Sequence, residues 1–170
     1  MYGCAGGDDR QLYGYSDSDW GNDVNDRRSV TGWVFLLHDG AVSWQSCKQP
    51  TVALSSVDAE YMAATQATRE AVWWRTFMTE LGLPPSAATI VHSDSQGATA
   101  LAKNPEHHNR TKHIDIQHHY VREQVEAGSV VMPYIGTELM VADVLTKPLA
   151  ADRHAALSGK MGVRAAHNAA

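Results

Sequence analysis

From Val57 to Leu81 the chain carries a helical pattern unbroken by proline or glycine, and this segment constrains the fold more than any other. Ser55 or Ser56 can cap it, and Gly82 with Pro84-Pro85 stops it. At 100° per residue, Ala63, Ala67, Trp74, Phe77, Met78 and Leu81 fall in one apolar stripe. Glu60 lies at the edge of that stripe, about 60° away. Three extended segments precede the helix. Gln11 to Trp20 alternates, with Tyr13, Tyr15 and Asp17 on one face and Leu12, Gly14 and Ser16 on the other. A polar loop over 21–29 follows. Thr31 to Leu37 is rich in β-formers, Asp39-Gly40 makes a turn, and Ala41 to Gln45 returns. Beyond the helix the pattern predicts a strand over Thr89–Ser93 and a short helix over Ser95–Lys103, broken at Asn104-Pro105. A histidine-rich basic loop then leads to a helix over His113–Ala127, ended by Gly128. A last strand over Ser129–Ile135 is demoted by Pro133 to an edge or irregular position, and a final short helix is expected over Leu139–Thr146. A meander followed by βα units predicts a mixed sheet with helices on its faces.

One domain suits 170 residues, and no internal repeat is visible. The segmentation reads as a disordered or linking stretch over 1–10, a domain over 11–149, and an Ala-rich tail with little patterning over 150–170. No apolar run approaches the roughly 20 residues of a membrane span, and the first residues carry neither a basic nor an apolar leader region. Cys4 and Cys47 lack metal-type spacing and read as free thiols in a reducing, intracellular compartment. The net charge of −5 argues against gripping nucleic acid by bulk charge alone, while leaving room for an acidic site neutralised by metal ions.

Four acids occupy positions that suit such a site. Asp17 lies on the first strand, and Glu60 lies near the start of the long helix. Asp94 ends a strand and opens a helix, where open sheets collect ligands. Asp143 sits in the last short helix. Hard divalent cations take oxygen ligands, and a two-ion site holds its ions about 3.5–4 Å apart. Three of the four also have a plain structural explanation: Asp94 as a helix N-cap, Glu60 as a first-turn acid on the helix dipole, Asp143 as a solvated charge.

The words around these acids are more specific than their spacing. Tyr15-Ser16-Asp17-Ser18-Asp19-Trp20 resembles the opening strand motif of ribonuclease H domains from copia-type LTR retrotransposons. Leu54 to Ala63 resembles their first helix, and His92-Ser93-Asp94-Ser95-Gln96-Gly97-Ala98 their third acidic motif. Asn109 to Asp115 and Ala142 to Leu149 complete five motifs in register between about Leu12 and Leu149. The resemblance implies an α/β ribonuclease H-like fold: a five-stranded mixed sheet, with a three-stranded antiparallel meander plus parallel strands, flanked by helices. It implies Asp17, Glu60, Asp94 and Asp143 as metal ligands and catalytic residues. Asp17 and Asp19 share a strand face, and the family pattern favours Asp17. One departure is that Tyr134 to Met140 holds no histidine, although many ribonucleases H have one in a loop shortly before the last aspartate.

The implied activity is endonucleolytic hydrolysis of the RNA strand of RNA–DNA hybrids during reverse transcription. The implied cofactor is two Mg2+ ions, with Mn2+ as a substitute. One ion would acidify the attacking water and the other would stabilise the leaving oxygen. The implied partner is a reverse transcriptase domain of the same polyprotein, in the cytoplasm within a retroelement particle. Hybrid recognition should rest on backbone shape, phosphates and the 2′-hydroxyl. Candidate contacts are Arg27, Arg28, Gln45, Ser46, Lys48, Arg110, Lys112 and His113; for each basic residue the competing explanation is a solvated surface charge. His107, His108, His113, His118 and His119 fit no common zinc module. Two rivals stand beside this reading. An integrase-like nuclease is disfavoured because Glu60 lies between Asp17 and Asp94. An inactive module packed against a reverse transcriptase is disfavoured because all four acids are present.

Overall fold

The computed structural model describes residues 11–103 and 112–164, and the side chains of 112–118 fall outside that description. Tyr13–Asp19 forms β1, Val30–Leu37 β2 and Gly40–Lys48 β3, an antiparallel meander whose β2–β3 register shifts between Phe35 and Leu36. The β2–β3 turn is tight enough that His38 and Asp39 both adopt positive φ, at 51° and 58°. Thr89–His92 forms β4, which pairs parallel to β1, and Val130–Val131 forms β5, which pairs parallel to β4. The expected sheet is therefore present, in the order β3-β2-β1-β4-β5. β1 is central and joins the antiparallel half to the parallel half.

Ser56–Glu80 forms the long helix, α1. The Ser55 hydroxyl accepts from the Asp58 amide at 3.1 Å and donates to the Asp58 carboxylate at 2.9 Å, which closes the first turn. Small residues Ala59, Ala63, Ala64, Ala67 and Ala71 are fully buried and bring the helix close to the sheet. Phe35, Tyr61, Val91, Val121 and Met132 fill the core between them. The predicted stripe is correct for Ala63, Ala67, Trp74 and Met78, but Phe77 and Leu81 are exposed.

Gln96–Lys103 forms α2 and Lys112–Glu126 forms α3. Gly128 ends α3 with φ 69°. The last strand is shorter than expected. After Val131 only an isolated Ser93–Tyr134 bridge continues it, because Pro133 offers no amide to the ladder. The final helix predicted over Leu139–Thr146 is instead two short 3₁₀ turns, Thr137–Leu139 and Val141–Leu145, separated by extended Met140. The stretch expected as an unpatterned tail contains a helix, α4 (Ala151–Lys160), docked through Leu157. No described helix is long and apolar enough to cross a membrane.

Candidate metal centre

Asp17 is fully buried in the middle of the sheet, on the face covered by the second 3₁₀ turn. Its register partner is Gly32, whose neighbour across β3 is Ser46, so Asp17, Gly32 and Ser46 form one row. Gly32 makes room for the turn. A Cβ there would stand 2.6 Å from Thr146 Cγ2 and 2.9 Å from Leu145 Cβ. Without that space the segment bearing Asp143 could not lie so close to β1.

The plain structural explanations for the acids do not describe where they sit. Ser95, not Asp94, caps α2: its hydroxyl accepts from the Ala98 amide at 3.1 Å. The Asp94 carboxylate instead accepts from the Thr137 hydroxyl at 2.8 Å. Asp58 takes the first-turn role on α1, while Glu60 turns toward β1 and accepts from the Ser18 amide at 3.3 Å. Asp143 is 1% exposed.

Carboxylate oxygens of Asp17, Glu60 and Asp94 lie within 4.8 Å of one another. Asp143, the fourth expected ligand, is not within that mutual distance and is tied to Asp17 through a cation instead. The Lys147 ammonium bridges Asp17 Oδ1 at 3.0 Å and Asp143 Oδ1 at 2.9 Å. The Thr146 hydroxyl donates to the other oxygen of Asp17. Arg153 Nη2 donates to Asp143 Oδ2 at 2.6 Å. Burial, opposed by Lys147 and Thr146, pushes Asp17 up to about 6. Burial, reinforced by the charges of Asp17 and Asp94, pushes Glu60 up to about 8. Burial works against the Lys147 charge, but the two aspartates outweigh it and hold the ammonium above its ordinary range. Burial penalises the ionised forms of both acids, and at Glu60 the charges of Asp17 and Asp94 add to that penalty, so added positive charge would relieve it.

A divalent cation fits this deficit. Glu60 Oε2 is buried and has no hydrogen-bond partner, and every donor in the cluster is a carboxylate oxygen, the set that Mg2+ and Mn2+ accept.

Asp19 stays outside the cluster and accepts from the Asn22 side chain. Among the candidate substrate contacts, Gln45 and Ser46 are exposed on β3. Gln45 accepts from the Trp33 indole at 3.0 Å and Ser46 donates to the Leu145 carbonyl at 2.6 Å. Arg27 and Arg28 are exposed in the β1–β2 loop, Arg27 at φ 57°. Lys48 is engaged by Asp23 and Asp26 of that loop. Arg110 lies outside the described residues, as do the side chains of Lys112 and His113. His119 is exposed, 3.1 Å from Arg122, and belongs to no metal-type cluster among the described residues. Sequence reasoning missed Arg153 and Gly32 and gave Thr146 and Lys147 no role, although the quoted Ala142–Leu149 motif contains the latter two.

A central strand bearing a buried acid, with acids from α1 and from the end of β4 closing on it, is the arrangement of a ribonuclease H-type fold. Solved structures agree on the fold. LC11-RNase H1, isolated from compost by a metagenomic approach, superposes with TM-score 0.59 at 17% identity, covering 81% of this chain and 93% of that one. RNase H1 from the halophilic archaeon Halobacterium salinarum NRC-1 gives 0.58 at 17%, covering 80% and 94%. A foamy viral protease-reverse transcriptase gives 0.59 at 14%, covering 81% of this chain and 20% of that one. No family model matches the chain. Sequence relatives are more specific. The retrovirus-related Pol polyprotein from transposon TNT 1-94 of Nicotiana tabacum is 46% identical over 144 residues, covering 85% of this chain and 11% of the relative. Those from transposons RE2 and RE1 of Arabidopsis thaliana are 38% and 37% identical over 157 residues, covering 92% of this chain and again 11% of each relative. The homologues of the chain are thus copia-type retrotransposon Pol polyproteins, and the fold it shares with its structural neighbours is that of ribonuclease H domains. The chain spans about a tenth of the length of these relatives.

Proposed function

We propose that this domain hydrolyses the RNA strand of RNA–DNA hybrids, with Asp17, Glu60, Asp94 and Asp143 holding two Mg2+ ions, replaceable by Mn2+. The observation that carries the reading is the convergence of three carboxylates within 4.8 Å on a ribonuclease H fold. Two structural neighbours support the substrate: LC11-RNase H1 and the foamy viral protease-reverse transcriptase have each been solved in complex with an RNA/DNA hybrid. When bound, the ions supply Lewis acidity at the attacking water and at the leaving oxygen.

The chain's own residues prepare that chemistry. β1 holds Asp17 beside Glu60 and Asp94, and Lys147 bridges it to Asp143. Thr146 and Lys147 each donate to one of the two oxygens of Asp17 and so fix the carboxylate's orientation. Thr137 orients Asp94 from the segment where other ribonucleases H carry a histidine. Gln45 and Ser46 lie in or beside the Asp17 row, two strands away, about 10 Å by strand spacing. They suit contact with sugar and phosphate rather than base edges. Arg27 and Arg28 can extend that track, and Arg110, Lys112 and His113 are proposed as further contacts to the hybrid. Lys48 would first have to leave Asp23 and Asp26, which makes it the weakest of the eight contacts. The products carry 3′-hydroxyl and 5′-phosphate ends. In the full polyprotein a reverse transcriptase domain supplies the hybrid, and tethering offsets the acidic surface of this segment.

The test is cleavage of an end-labelled hybrid with Mg2+, beside Asp94→Asn and a strand-transfer substrate. Hybrid cleavage that falls by roughly two orders of magnitude in the variant is expected. Equal product from both proteins, or strand transfer without hybrid cleavage, overturns the reading.

A further inference from the structure

Asp143 is held from outside the 11–149 segment. Arg153 extends from α4, and its Nη2 donates both to Asp143 Oδ2 at 2.6 Å and to the Thr137 carbonyl at 2.8 Å. Thr137 in turn donates its hydroxyl to Asp94 Oδ2 at 2.8 Å. One guanidinium nitrogen therefore touches the last acid and the backbone of the residue that orients the third. With Oδ2 taken by Arg153, the other oxygen of Asp143 faces Lys147 and Asp17. α4 has little else to anchor it: Leu157 is its one buried residue. The permanent charge of arginine suits the task, because a charge-assisted hydrogen bond holds a carboxylate oxygen more firmly than a neutral donor does.

We propose that Arg153 is a positioning residue and that α4 is part of the metal-binding apparatus. Arg153 presents Asp143 Oδ1 toward Asp17 and pins the Thr137 turn against Asp94, so both acids reach the ions already oriented. This rests on the reading of the four acids as ligands. The opposite effect is also physically possible, since a cation beside Asp143 repels a metal ion, and the experiment separates the two.

Mn2+ binding to the full chain is measured by calorimetry for wild type, Arg153→Ala, Arg153→Gln, Arg153→Lys and Leu157→Ala, with folding monitored by circular dichroism. Arg153→Ala is expected to weaken Mn2+ binding by about tenfold, the usual scale for groups that orient ligands. Gln and Lys, which keep donors, are expected to restore part of that loss. Leu157→Ala, which loosens α4 and so the seat of Arg153, should cost stability and weaken Mn2+ binding by less than Arg153→Ala does. Unchanged or tighter binding in Arg153→Ala overturns the proposal. So does a loss in Leu157→Ala greater than that in Arg153→Ala. An Asp94→Asn arm separates the two levels: if Asp94→Asn binds Mn2+ like wild type, the ligand assignment itself has failed. If it does not, and Arg153→Ala does, only the role of Arg153 has failed.

Discussion

Lys147 stands where two buried aspartates would otherwise repel each other. Its ammonium reaches Asp17 and Asp143 at 3.0 and 2.9 Å and is itself part exposed. Removing it leaves buried negative charge uncompensated, while taking away a competitor for any divalent ion. Lys147→Met is therefore expected to lower metal-free stability by about 1–3 kcal/mol and to enlarge the stabilisation gained on adding Mg2+. Urea unfolding with and without the ion checks both, and an unchanged gain would contradict the bridging role. Gly32 offers a steric counterpart. Gly32→Ala should cost about 1–3 kcal/mol by overpacking and weaken Mn2+ binding, because the added methyl pushes away the turn that carries Asp143. The acids themselves were legible from their local words, but their partners were not. Lys147 reads as an i+4 neighbour of Asp143, yet nothing local shows its contact with Asp17, 130 positions away. Gly32 looks like any glycine in a strand until the turn above it is in place.

At the scale of elements, the long helix was readable because length, cap and stop signal agree: Ser55 caps it and Gly82, at φ 75°, lies just past its end. Its buried stripe was readable only over the half that meets the sheet. A helix of 25 residues runs about 37 Å, whereas an eight-residue strand spans about 26 Å, so α1 outruns its support. Trp73 and Phe77 then stack on each other, ring centres 5.2 Å apart, on the exposed side. Met78→Ala is expected to cost about 2 kcal/mol and Leu81→Ala less than about 0.5 kcal/mol, as read from denaturant midpoints. Equal costs would mean that the stripe is buried to its end. The two 3₁₀ turns and α4 escaped the reading for a different reason. The second turn buries Met140, Val141 and Ala142, but over too few residues for a helical period to show, while α4 is tied by Arg153 to Asp143 and Thr137, and an Ala-rich segment with one buried leucine gives the pattern little to show.

For the molecule as a whole, the acidic cluster sets a pH dependence whose sign is fixed. Asp17 and Glu60 hold their protons to about 6 and about 8, above the ordinary carboxylate range, mainly because they are buried. The folded state thus binds more protons than the unfolded chain over that interval, and metal-free stability falls as pH rises from about 4 to 8. Bound Mg2+ favours the ionised acids and should flatten the slope. Thermal melts across this range, with chelator or with excess Mg2+, would show the difference, and parallel profiles would argue against a cation at these acids. The ordering of the sheet has a consequence for timing. β1 supplies the first acid of the cluster, yet its parallel neighbour is made far downstream, and Asp143 comes only after β5. A chain emerging from the ribosome therefore cannot assemble the four acids until nearly the whole domain has been synthesised, and the Lys147 bridge between Asp17 and Asp143 is among the last contacts to close.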